Sequence, residues 1–232
     1  MMKVRTTLFG LLFSLALAGG AGAAPLLING DFETMGPGPF VDISGTNKPN
    51  LEALNLDNWG VYDKIPGWET DAGARGIEVQ RNTVVNAHSG TNYVELESHP
   101  GNSSISAFSQ TFTPIVTAQH LLTFYYTPRS DPQGGNLVNA TLDGNTVATA
   151  NGPPPVSGDW VLVSVLLGVL SANVDYTLGF NAFGTNPDNT LGGFIDTVSV
   201  SAVPIPAALP LFAGGLGLLG LLGWRRKRNA TA

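Results

Sequence analysis

The sequence predicts an all-β domain, an antiparallel β-sandwich, held between two apolar chain ends. Three observations carry this. Outside the ends, no window of helical length repeats its apolar residues at a period of 3.6. Short runs rich in β-branched and aromatic residues recur instead, divided by Gly, Pro, Asn and Asp. Nothing between those runs reads as a crossover helix, so neighbouring strands run antiparallel.

Residues 1–23 read as a signal peptide. Lys3 and Arg5 form a basic start, residues 8–17 an apolar stretch, and Ala21-Gly22-Ala23 the small residues of a cleavage site after Ala23. The domain spans 24–202. Its first strand-like run is Leu26-Leu27-Ile28, ending near Phe32, and the polar stretch 34–57, rich in Gly, Pro and Asn, reads as a structured loop. Strands are then expected at 76–81, 93–97, 104–113, 121–127, 137–142, 146–150, 160–167, 176–183 and 194–200. Asp143-Gly144 is a two-residue hairpin signal. Gly152-Pro153-Pro154-Pro155 is a rigid loop that no central strand accommodates.

Alternation assigns faces. Val94 and Leu96 point one way, and Tyr93, Glu95 and Glu97 the other, onto an exposed face. Leu122, Phe124 and Tyr126 share a face, as do Tyr176, Leu178 and Phe180. In the last strand the same rule groups Asp196 with Phe194, Val198 and Val200, where a charge needs a partner.

The chain carries 11 Lys+Arg and 17 Asp+Glu. Six of the basic residues lie in the two ends, so the exported part keeps five against all 17 acids, a net −12. Such a surface disfavours binding nucleic acid or anionic lipid through phosphates and suits cations or neutral ligands such as sugars. With no Cys there are no disulfides. About 180 residues bury a sufficient core without them.

The tail, 203–228, has three parts. Val203-Pro204-Ile205-Pro206-Ala207 comes first, then an uncharged apolar run over 207–223, then Trp224 and Arg225-Arg226-Lys227-Arg228. At about 1.5 Å per residue the run reaches roughly 25 Å, enough for a thin bilayer core. The cations that follow stay cytoplasmic, which makes the run a stop-transfer transmembrane helix with the domain outside. This layout resembles the PEP-CTERM sorting signal of Gram-negative bacteria, in a Val-Pro-x-Pro-Ala variant with Ile205 where the usual signal has Glu. The resemblance implies recognition by an exosortase-type membrane protease, removal of the helix, and release to the cell surface or extracellular matrix. The protein would thus be exported across the inner membrane and anchored there only transiently.

A second resemblance spans the domain. Asn29-Gly30-Asp31-Phe32-Glu33, Ile65-Pro66-Gly67-Trp68, Gly90-Thr91-Asn92-Tyr93-Val94-Glu95-Leu96, Phe108-Ser109-Gln110-Thr111-Phe112 and Phe194-Ile195-Asp196-Thr197-Val198-Ser199-Val200 occur in the order of the galactose-binding-like jelly roll. That fold serves many carbohydrate-binding modules. The resemblance implies two packed antiparallel sheets with the opening and closing strands adjacent. It also implies a structural Ca²⁺ between Glu33 and Asp196, with Asp31 a neighbour. The other reading of Asp196 is a carboxylate satisfied by backbone N–H groups.

Other chemistry is sparse. His88, His99 and His120 lack metal-ligand spacing, and no Gly-x-Ser-x-Gly elbow occurs. Glu95 and Glu97 share a face, but neighbours on one strand flank a substrate poorly. Trp59 and Tyr62, beside the long loop, are the aromatic candidates for stacking on a sugar, whereas Trp68 and Trp160 read as packing residues. Glu95 is a further candidate for a sugar-hydroxyl contact. Arg129 either binds ligand or pairs with an acid. These features give a non-enzymatic surface or matrix protein that binds carbohydrate, associated with exopolysaccharide. Two other classes compete: a polysaccharide-active enzyme using Glu95 or Glu97, and a coat component without ligand.

Overall fold

The structure is a computed structural model that describes residues 25–35, 59–74, 76–96, 106–129, 137–151, 158–182, 192–204, 212, 214–217 and 219–220. The signal peptide, Glu97, His99, most of the long loop and most of the tail lie outside the described residues. Among the described residues no helix is long and apolar enough to cross a membrane. Positions 212, 214–217 and 219–220 are helical and exposed.

Among the described residues twelve strands form: β1 (Trp59–Tyr62), β2 (Lys64–Ile65), β3 (Trp68–Thr70), β4 (Ile77–Arg81), β5 (Asn92–Leu96), β6 (Ala107–Phe112), β7 (Ala118–Thr127), β8 (Val138–Leu142), β9 (Asn145–Ala150), β10 (Val161–Leu170), β11 (Tyr176–Ala182) and β12 (Gly193–Ala202). They build two six-stranded sheets. One is ordered β1-β4-β5-β12-β7-β10, the other β2-β3-β6-β11-β8-β9. Every pairing is antiparallel. The architecture is the antiparallel two-sheet sandwich that the strand pattern predicts.

The core lies between the sheets. Leu122, Phe124 and Tyr126 face it from β7, and Leu178 and Phe180 from β11, as alternation requires. Trp68 is wholly buried against Phe32, Phe108 and Phe180, and its Nε1 donates to the Asn29 carbonyl at 3.0 Å. Burying a large apolar side chain contributes about 1.5–3 kcal/mol. Asp143 and Gly144 both take positive φ, 49° and 78°, and turn β8 into β9.

Three expectations change. The opening run 26–32 forms bends and a turn, not a strand, because Asn29 and Phe32 take positive φ. It still lies against the closing strand, where the Val198 N–H donates to the Gly30 carbonyl at 2.7 Å. Short strands β1 to β3 occupy a region not read as strand. In β12 the register against β7 shifts between Asp196 and Ser199, with Thr197 at φ 53°. This bulge resets the alternation. Ile195, Val198 and Val200 enter the main core, and Phe194 joins a second buried cluster. Asp196 is therefore not grouped with Val198 and Val200, although it is fully buried.

Candidate ligand-binding face

The face of the first sheet turned away from the core carries the polar chemistry. Strand register lays it out in rows. Val61, Glu78, Glu95, Phe194 and Thr127 sit side by side across β1, β4, β5, β12 and β7. The next row holds Trp59, Gln80 and Tyr93. Directly opposed side chains on neighbouring strands start about 4.5–5.5 Å apart, so each row is a contact series.

Expected to be exposed, this face is buried. Glu95, Tyr93 and Phe194 have no exposure, and Glu78 is 2% exposed. The segment after β4 folds over it, so that Val85 packs with Tyr93 and Phe194, and Ala87 and Trp160 lean on them. Tyr93 holds the cover down, its hydroxyl accepting from Val84 N at 3.0 Å and Val85 N at 3.2 Å. His88 stacks on Tyr125 with ring centroids 3.4 Å apart, and Trp160 Nε1 donates to the Asn86 carbonyl at 2.9 Å.

Glu95 is the hub. Its Oε1 accepts from Arg129 Nη1 at 2.6 Å and from Gly192 N at 3.1 Å. Its Oε2 accepts from Gln80 Nε2, which also donates to Glu78 Oε1 at 3.1 Å. Gln80 Oε1 accepts from the Tyr93 hydroxyl at 2.9 Å. Burial, and then the neighbouring Glu78, push the Glu95 carboxyl well above its ordinary range, and Arg129 offsets part of this. On the same face, across Phe194 from Glu95, Thr127 Oγ1 is buried without any hydrogen-bond partner, the one such side-chain atom among the described residues.

A second pair of acids grips the turn before β5. Glu33 Oε1 accepts from Thr91 N at 2.8 Å and Asn92 N at 2.6 Å. Asp196 Oδ2 accepts from Ser89 N at 2.9 Å, and Oδ1 from Thr197 N at 2.6 Å. Asp31, exposed, only accepts from Glu33 N at 3.4 Å. Burial lifts the Asp196 carboxyl to about 7 against these hydrogen bonds. Both oxygens of each carboxylate are thus met by N–H or hydroxyl donors, Glu33 Oε2 accepting from Thr91 Oγ1 at 3.1 Å. Ca²⁺ takes six to eight oxygens. Among the described residues no group of three or more His, Cys, Asp or Glu could hold a metal.

The sequence-chosen residues divide accordingly. Glu95 and Arg129 come together, and Trp59, half-buried on edge strand β1, lies on the same face. Tyr62 does not. It is fully buried because its partner Ile77 faces the core, and alternation carries Tyr62 with it. Glu78, Gln80 and Thr127 were missed. The alternation of Ile77-Glu78-Val79-Gln80 contains the face of the first two, but not the strand beside them. Of the sorting motif, Val203 and Pro204 are described, directly after β12.

No family model matches the chain, and no curated protein does. Several solved structures are similar. One is a cyclase from Fischerella sp. TAU, at 18% identity and TM-score 0.45, over 73% of this chain and 99% of that one. Another is CBM35 from Paenibacillus barcinonensis, at 19% and 0.38, over 59% and 94%. A third is TmCBM61 in complex with β-1,4-galactotriose, at 16% and 0.43, over 78% and 100%. At such low identity these likenesses carry nothing about ligand or activity.

Proposed function

We propose that this is an exported, non-enzymatic surface or matrix protein that binds a neutral polysaccharide at the margin of its β1-β4-β5-β12-β7-β10 sheet, where Trp59 and Arg129 keep partial exposure. The observation that carries the reading is that Arg129, paired with the fully buried Glu95, stays partly exposed on the same face as half-buried Trp59. A buried ion pair is a weak route to stability, since apolar residues of similar volume often do as well. The partly exposed guanidinium of Arg129 can donate to sugar hydroxyls. Trp59 at the sheet margin supplies an apolar surface for a sugar ring. The acidic exported region suits a neutral glycan. Export, transient anchoring and exosortase-type processing belong to this proposal on the strength of the two chain ends, and exopolysaccharide is the partner they favour. A Ca²⁺ ion at Glu33 and Asp196 belongs to it as a structural tie.

Binding of the mature domain to neutral polysaccharides tests the reading. Trp59→Ala and Arg129→Lys should each weaken it. Unchanged binding in both variants would remove the site.

A second reading is favoured by one observation, the raised carboxyl of Glu95 beside Glu78, which suits a general acid. Against it, Gln80 Nε2 bonds both carboxylates and occupies the space where a reacting sugar would lie between them. Turnover of a glycan that Glu95→Gln abolishes would favour the enzyme.

A further inference from the structure

The chain leaves the sandwich at one end, and that end is apolar. β12 finishes at Ala202, paired with His120, and the Val203 N–H still donates to the Gln119 carbonyl at 2.7 Å. Gln119 pairs on its other side with Val169, which is 64% exposed. Two turns flank this exit. The β6–β7 turn presents Ile115 and Val116, 73% and 47% exposed, and the β10–β11 turn presents Val174, 45% exposed. The turns are bound into one tip. Asn173 N donates to the Pro114 carbonyl at 2.9 Å, Ala172 N to Thr117 Oγ1 at 2.9 Å, and Thr113 Oγ1 to Asp175 Oδ1 at 2.6 Å. Residues 113–117 and 171–175 contain no cation, and their single acid is Asp175.

We infer that this tip, through Ile115, Val116, Val169 and Val174, rests in the interfacial layer of a neutral lipid bilayer while the chain is anchored. The inference depends on the anchor reading above. If the apolar run 207–223 spans the membrane, three residue steps separate Pro204 from its start. Fully extended, they reach about 10 Å. The tip therefore cannot stand clear of the headgroup layer, and the surface held there is the apolar one. A lipid surface is favoured over a protein partner because the length of chain places it there. Zwitterionic lipid is favoured over anionic lipid because the tip offers no cation.

The chain has no Cys, so single-cysteine labelling is direct. Full-length protein, made in a host without a matching processing protease, is reconstituted in phosphatidylcholine vesicles. An environment-sensitive fluorophore is placed through Ile115→Cys or Val174→Cys, and through Asp159→Cys at the start of β10 as the distal control. Brominated lipid should quench the first two labels several-fold more than the third, and a chain ending at Pro204 should lose the difference. Protein that floats with the vesicles but shows equal quenching at all three positions would overturn the membrane-resting tip and leave the anchor standing. Protein that fails to float would overturn the anchor, and the inference with it.

Discussion

Asp196 and Glu95 are wholly buried, and burial raises the pKa of both carboxyls, Asp196 from 3.8 to about 7. The sign follows from linkage. Between the unfolded and folded pKa the native state holds more protons than the unfolded chain, so stability falls as pH rises through that window. For Asp196 the window runs from 3.8 to about 7, and the ionised form carries a penalty on the order of 4 kcal/mol. Denaturant unfolding in chelator, from pH 4 to pH 8, should show the gap between wild type and Asp196→Asn shifting in favour of wild type as pH falls. A constant gap would mean that the Asp196 carboxylate is fully compensated by the N–H groups of His88, Ser89 and Thr197.

At the scale of elements, turns set what the strands can do. Gly144 and Gly90 both lie in the left-handed region, at φ +78° and +61°. A Cβ on Gly144 would meet open space, so Gly144→Ala should cost only the backbone strain, about 1–2 kcal/mol. A Cβ on Gly90 would run into the Glu33 carboxylate, which caps Thr91 and Asn92. Gly90→Ala should therefore cost clearly more, and thermal melts of the two variants compare them directly. The hairpin at Asp143-Gly144 was legible because its cause is local. The role of Gly90 was not, because the side chain it makes room for lies 57 positions away in sequence.

For the whole molecule the question is what closes a domain without disulfides. The opening segment meets the closing strand through the Gly30–Val198 hydrogen bond, and Glu33 and Asp196 hold one turn from two sides. A Ca²⁺ ion there would stabilise the folded state by about 2.7 kcal/mol at a hundredfold excess over its Kd. The mature domain should then melt several degrees higher with Ca²⁺ than with chelator, and Asp196→Ala should abolish the difference. Coincident curves would leave hydrogen bonds as the whole of the tie.

The sequence by itself determined the strands from β4 to β12, the faces of β7 and β11, the β8–β9 turn, the burial of Trp68 and the pairing options of Arg129. Each follows from residues within one strand or turn of one another, where period and backbone preference act directly. Tertiary structure alone decided that β5 lies between β4 and β12, and so that Glu95 meets Glu78 and Gln80 under a cover instead of facing water. It also decided that the bulge at Asp196–Ser199 turns that carboxylate away from Val198 and Val200, and that Tyr62 fills the core. Alternation says only that two residues share a face. Which face is buried, and by what, depends on strands brought together from distant parts of the chain, and no local pattern contains that choice.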